Sequence, residues 1–195
     1  VSMTRGTDPL GFSCGCGALK GHVTAEGLRA GTHVVCYCAD CRAGELYFQQ
    51  HDPAPGPVDI FQLSPDTVII DDGFENLAAI RLSPNGMFRW YAACCDTPLC
   101  TTMKSAKTPF AGMNAKRFDD PSRLGPVVSK GFVPAADGSR KHETAYRAAW
   151  PLIKRMAVAR LSGRWKQTPF FDANTGAPTV EPRVITKSER TALYR

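Results

Sequence analysis

Cys36-Tyr37-Cys38-Ala39-Asp40-Cys41-Arg42 sets three thiols inside six residues. In an extended segment residues i and i+2 share a face, so Cys36 and Cys38 can reach one ion together. The Ala39-Asp40 step then permits a tight turn that returns Cys41 as a third thiolate. Two other groups flank this one: Cys14-Gly15-Cys16-Gly17 upstream, and Cys94-Cys95-Asp96-Thr97-Pro98-Leu99-Cys100 downstream. Clustered thiolates select a borderline-soft ion, and tetrahedral Zn²⁺ is the default. A closed structural site takes four ligands, whereas three protein ligands leave a position open. The middle group supplies three and no evident fourth. The first supplies two and must borrow, and the third group is the remaining cysteine source.

Eight cysteines in 195 residues would suit a disulfide framework in a secreted chain. The stretch Val1 to Leu10 lacks the apolar segment of an export signal. No apolar run approaches the roughly 18 residues needed to cross a bilayer. These readings predict a cytoplasmic chain without membrane association, and clustered thiols in a reducing compartment favour metal bonds over disulfides. Hydrophobic residues make up 43%, enough for a real core.

The first two-thirds reads as short strands separated by turns: Ala18–Thr24, His33–Tyr37, Val58–Leu63, Thr67–Ile70, Leu77–Leu82, Met87–Ala93 and Val127–Phe132. Ser83-Pro84-Asn85-Gly86 is a turn signal between two apolar runs. His51 to Pro57, with three prolines, is a loop. Near Ser139 the pattern changes. Arg140 to Leu161 reads as helical, with Trp150, Ile153, Met156, Ala157 and Leu161 on one face. Pro151 would break that helix or open a second one, and Gly163 is a suitable stop. From Thr168 onward the chain reads as an irregular surface tail. The expected fold is mainly β, short antiparallel sheets assembled around cysteine–zinc sites, with a C-terminal helical extension. Residues 1–132 would form the zinc-binding β domain, and 133–195 a helical basic extension packed on it.

Charge is uneven. Residues 1–128 hold 11 basic and 13 acidic side chains, residues 129–195 hold 13 and 5, and the whole chain is +6. The basic residues are scattered and build no continuous phosphate track, so no sequence-specific nucleic-acid binding is expected.

The three cysteine groups resemble the glutathione-dependent formaldehyde-activating enzymes and their relatives, including the centromere protein V group. That family shows C-x-C-G, then C-x-C-x-x-C-R, then C-x-x-C-G-T-P-L. The first two stand here as Cys14 to Gly17 and Cys36 to Arg42, and the third is recognisable in Cys95-Asp96-Thr97-Pro98-Leu99. The likeness covers roughly residues 8 to 120. It implies a β-rich, metal-centred fold in which Cys14, Cys16 and Cys95 hold a structural zinc and Cys36, Cys38 and Cys41 a catalytic one. Two positions depart from the pattern. Ala92 stands where the first cysteine of C-x-x-C belongs, with Cys94 the nearer substitute and Cys100 the farther one. Asp96 replaces glycine, so a different turn is expected there.

The activity implied is that of a carbon–sulfur lyase on a small thiol adduct such as S-hydroxymethyl glutathione. The alternative is a non-catalytic, zinc-stabilised binding module for a protein or nucleic-acid partner. Arg42, directly after Cys41, is the candidate for binding a substrate carboxylate; pairing with Asp40 or the backbone is the other role open to it. His33, three before Cys36, is a weaker candidate as ligand or acid/base. Trp90 and Tyr91 read as core. No Gly-rich phosphate loop, Ser-His-Asp order or HExxH helix is present, which sets aside the common kinase, dehydrogenase and hydrolase readings.

Overall fold

The structure, a computed structural model, describes residues 7–194. The first six residues, part of the stretch read above for an export signal, lie outside the described residues, as does Arg195. Strands β1 (Leu10–Ser13) and β2 (Lys20–Val23) form a hairpin, followed by helix α1 (Ala25–Ala30), β3 (Thr32–Cys36), helix α2 (Ala39–Tyr47) and β4 (Val58–Leu63). Next come β5 (Val68–Asp72), which returns to β2, and a β-meander of β6 (Leu77–Arg81), β7 (Phe88–Ala92), β8 (Thr97–Thr102) and β9 (Ala111–Asn114). The C-terminal part holds β10 (Ser129–Pro134), β11 (Arg140–Glu143), helix α3 (Tyr146–Leu161), β12 (Arg183–Val184) and helix α4 (Lys187–Leu193).

The described residues form two sheets. A small one runs β1-β2-β5, and a large one runs β11-β10-β3-β4-β9-β8-β7-β6-β12. The chain is mainly β, as its short Val-, Ile- and Phe-rich segments predict. Pairing is antiparallel except where β10 joins β3 and β12 joins β6. Both parallel contacts bring late segments to edges laid down early, an arrangement no local pattern signals.

Strand alternation divides the large sheet into a core face and a site face. On β7, Phe88, Trp90 and Ala92 are buried while Arg89 and Tyr91 point to the other side. On β4, Phe61 and Leu63 enter the core and Ile60 and Gln62 face away from it. Trp90 is fully buried, and its indole N–H donates to the Thr102 hydroxyl at 2.8 Å. Phe170 packs tilted against it at 5.0 Å and Phe171 edge-on at 6.0 Å between ring centroids. The segment expected to wrap the surface as a tail therefore inserts two aromatic rings into the core.

The helical reading of Arg140 to Leu161 needs correction at its start. Arg140–Glu143 is β11, paired antiparallel with β10. The reversal is made at Asp137, which accepts from the Ser139 backbone and hydroxyl, and Gly138, at φ 77°. The helix begins at Tyr146 and continues through Pro151 without a break. Its orientation also differs from expectation. Trp150, Ile153 and Leu161 are 71%, 56% and 88% exposed, and the buried helix residues are Arg155 and Ala159. Arg155 sets this rotation, donating from Nη1 to the Ala30 carbonyl and the Thr32 hydroxyl, both at 2.7 Å. No helix among the described residues is long and apolar enough to cross a membrane.

Candidate metal centres and the adjoining cavity

Two sulfur clusters stand out among the described residues: Cys14, Cys16, Cys94 and Cys95, and Cys36, Cys38 and Cys41, each with its sulfurs within 4.8 Å of one another. In the first, the sulfur separations are 3.6 Å (Cys14–Cys16), 3.8 Å (Cys14–Cys94), 3.4 Å (Cys16–Cys94) and 3.9 Å (Cys94–Cys95). A tetrahedral ion with metal–sulfur bonds of about 2.3 Å sets its ligands about 3.8 Å apart, so the four sulfurs fit one such ion.

The backbone around this cluster is shaped to it. Just after β1, Cys14 Sγ accepts the Leu19 N–H at 3.3 Å, and Gly17, at φ 76°, closes a turn onto the Cys14 carbonyl. In the β7–β8 turn, Asp96 takes φ 51°. That is the left-handed region glycine usually fills and Asp tolerates. The Thr97 hydroxyl accepts the Gly15 N–H at 2.9 Å and lies 3.0 Å from Cys95 Sγ, joining the two halves of the cluster. Burial works to raise the Cys95 pKa, but hydrogen bonds from Thr97 and from the Cys16 backbone and thiol outweigh it, lowering it to about 6. Burial and the neighbouring thiols push Cys94 up to about 12. Ala92 is a buried strand residue opposite Leu77 and Thr97. Cys100 lies in β8 with its sulfur against the Thr101 carbonyl, outside both clusters.

The second cluster spans a strand end and a helix start. Cys36 closes β3, Cys38 is the N-cap of α2, and Cys41 lies in the first turn. Ala39 and Asp40 are thus the opening residues of a nine-residue helix rather than a free tight turn. Cys38 Sγ accepts the Cys41 N–H at 3.3 Å. Hydrogen bonds from Cys36 and Cys41 pull Cys38 down to about 2, while the bond to Cys38 pushes Cys36 up to about 11. No fourth Cys, His, Asp or Glu among the described residues joins this group.

Beside it lies a cavity of about 530 Å³. Apolar side chains including Val34, Ile60, Leu82, Phe110 and Leu152 line it, and α3 supplies one wall. Arg89, Gln62, Asp40, Thr101 and Ser129 bring polarity to the site, and His142 lines it from β11.

Arg42, expected to bind substrate, does not line this cavity. Its guanidinium makes a fork on Asp52, Nε–Oδ1 2.8 Å and Nη2–Oδ2 2.7 Å, tying α2 to the following loop. The arginine on the cavity wall is Arg89. His33 is engaged at both ring nitrogens, by the Gly125 carbonyl and the Asp59 carboxylate, each at 2.6 Å. Sequence reasoning passed over Arg89 although its signal was present: a cation between Phe88 and Trp90 in a strand must face away from the core.

These features define a mainly β protein with two cysteine clusters able to hold metal ions. The chain belongs to the family of unknown function DUF6151, which it matches over residues 7–181. No curated protein matches it. A similar solved structure is the crystal structure of a Rhodobacter sphaeroides protein, 18% identical, covering 60% of this chain and 96% of that one at a TM-score of 0.42.

Proposed function

We propose that both clusters hold zinc, with Cys14, Cys16, Cys94 and Cys95 forming a closed structural site and Cys36, Cys38 and Cys41 an open one that acts on a small thiol adduct. The observation that carries this reading is the three-sulfur set, without a fourth protein ligand among the described residues, opening onto the cavity. Sulfur-only donor sets suit zinc. A zinc ion bound there would supply Lewis acidity and a place for a substrate thiolate. The reaction favoured is carbon–sulfur cleavage of an S-hydroxymethyl thiol: the C–S bond breaks, the hydroxyl proton passes to the departing sulfur, and thiol and aldehyde result. The likeness of the cysteine motifs to the formaldehyde-activating enzymes supports the same chemistry.

The test is zinc stoichiometry and thiol-adduct exchange on the same preparations. Wild type should carry two zinc ions per chain and accelerate exchange of S-hydroxymethyl thiols, seen by NMR. Cys38→Ser should carry one and exchange at the buffer rate. Wild type with fewer than two ions, or with exchange no faster than buffer, overturns the proposal. A second reading, a zinc-stabilised binding module, is favoured by the exposed face of α3, where Trp150 and Leu161 stand free of the core. Two zinc ions with no exchange activity would favour it.

A further inference from the structure

We infer that Arg89 is the anion anchor of the cavity, and that the substrate is a small thiol or thiol adduct with an apolar body and a single anionic group. This inference rests on the open-site reading of Cys36, Cys38 and Cys41. Three observations lead to it. Arg89 lines the cavity, and among the described residues it makes no hydrogen bond or ion pair with another protein group. Cys38 and Glu45 meet its charge through space, but its half-buried N–H groups are left without acceptors, which is costly.

Space has also been made for it. Gly44 lies inside α2, where glycine costs about 1 kcal/mol relative to alanine. A Cβ there would sit 2.7 Å from Arg89 Nη1 and 3.2 Å from Cζ. The helix therefore gives up a side chain at the position where the guanidinium lies against it.

The third observation is Gln62. Its Oε1 is buried without a hydrogen-bond partner, and the residue lines the same cavity. Buried acceptors are almost always satisfied, and a small turn of this amide would bring the oxygen to a donor in the cavity. With Asp40 on the wall engaged by the Tyr194 hydroxyl, the sulfur cluster, cation, acceptor and apolar surface together match a ligand with a thiol, one anion, a hydroxyl or N–H, and hydrocarbon between them. Glutathione carries two carboxylates and an ammonium. One of its carboxylates would have no fixed cation in this cavity, since Arg89 is the only Lys or Arg on its wall among the described residues.

Calorimetric titration of zinc-loaded, full-length protein tests this, with mercaptohexanoate, mercaptohexanol, hexanoate and glutathione as probes. Mercaptohexanoate should bind at least about tenfold more tightly than mercaptohexanol, the scale of one charge-assisted contact, and more tightly than glutathione. In Arg89→Met the two mercapto probes should become equal, with zinc content and mercaptohexanol affinity unchanged. Arg89→Lys should restore part of the preference. Equal binding of the two mercapto probes to wild type, a preference that survives Arg89→Met, or tighter binding of glutathione overturns the inference. Loss of zinc from Arg89→Met also overturns it, because Arg89 would then be offsetting the charge of the sulfur cluster. If hexanoate binds as well as mercaptohexanoate and Arg89→Met abolishes both, the anchor stands and the open-site reading fails.

Discussion

The sulfurs of Cys14 and Cys94 lie 3.8 Å apart although eighty residues separate them in the chain. An ion between them closes a long loop and fastens the β1–β2 hairpin to the β7–β8 turn. Structural zinc contributes about 10–16 kcal/mol in apparent terms in small zinc-finger peptides, as much as a typical domain's whole stability of about 5–15 kcal/mol. Cys14→Ser should therefore give insoluble or unfolded protein. Cys38→Ser, whose cluster closes only a short local segment, should stay folded. Circular dichroism melts of the two variants, run beside metal analysis, check this; a harmless Cys14→Ser with an unfolded Cys38→Ser reverses the assigned roles.

Gly44 separates stability from binding. Gly44→Ala improves helix propensity by about 1 kcal/mol, and the atom it would meet is the far end of a flexible arginine. The variant should melt at or slightly above the wild-type temperature while losing affinity for mercaptohexanoate. A fall in melting temperature with binding intact would show that the glycine serves the helix and not Arg89.

Glu45, one turn beyond Cys41, is buried and accepts from Asn114 Nδ2 at 2.9 Å. Burial raises its pKa above the usual 4.5, against the pull of Lys116, Arg117 and Arg89. A folded-state carboxyl with a raised pKa binds its proton more tightly than the unfolded chain does. Its cost to stability therefore grows as pH rises from the unfolded value through the folded one. Glu45→Gln keeps the acceptor and removes the charge. It should be more stable than wild type in denaturant titrations near pH 8, with the difference narrowing toward about pH 5. A difference that widens as pH falls contradicts the sign.

Phe170 is 2% exposed and packs against Trp90. Removing a buried phenylalanine typically costs about 3–5 kcal/mol. Phe170→Ala should destabilise by that order, whereas Trp150→Ser, at an exposed position on α3, should stay within about 0.5 kcal/mol of wild type. Equilibrium urea unfolding distinguishes them, and the reverse ranking would show that the tail is peripheral and the α3 face buried.

Much of the sheet was legible because its signals are local. Val58–Leu63 is found as read, the Ser83 to Gly86 turn joins β6 to β7, and β3, β5, β7 and β10 lie within a few residues of their predicted bounds. The pair Cys14 and Cys16 and the trio Cys36, Cys38 and Cys41 were legible for the same reason, whereas the meeting of the first pair with Cys94 and Cys95, eighty residues on, came from counting the remaining cysteines and from the family likeness. What stayed hidden depends on distant partners. The face that α3 buries is chosen by Arg155 reaching Ala30 and Thr32, not by its apolar stripe. The pairing of Arg42 with Asp52 and the position of Arg89 over Gly44 arise from loops and strands that sequence order does not bring together. The fate of Phe170 and Phe171 was missed because two aromatic residues amid prolines give no periodic signal.

The compactness of the Cys36, Cys38 and Cys41 cluster has a consequence in time as well as in space. A ribosome that has released Cys41 has released the whole three-sulfur set, whereas the other cluster is incomplete until Cys95 emerges and the cavity lacks a wall until Leu152 does. Metal capture and enclosure are thus separate events in the life of the chain. An ion taken up early would face open solvent and every thiol dissolved in it. The selectivity proposed for the cavity would come into force only when α3 (Tyr146–Leu161), made well after Cys41, docks over a centre whose ligands were already complete.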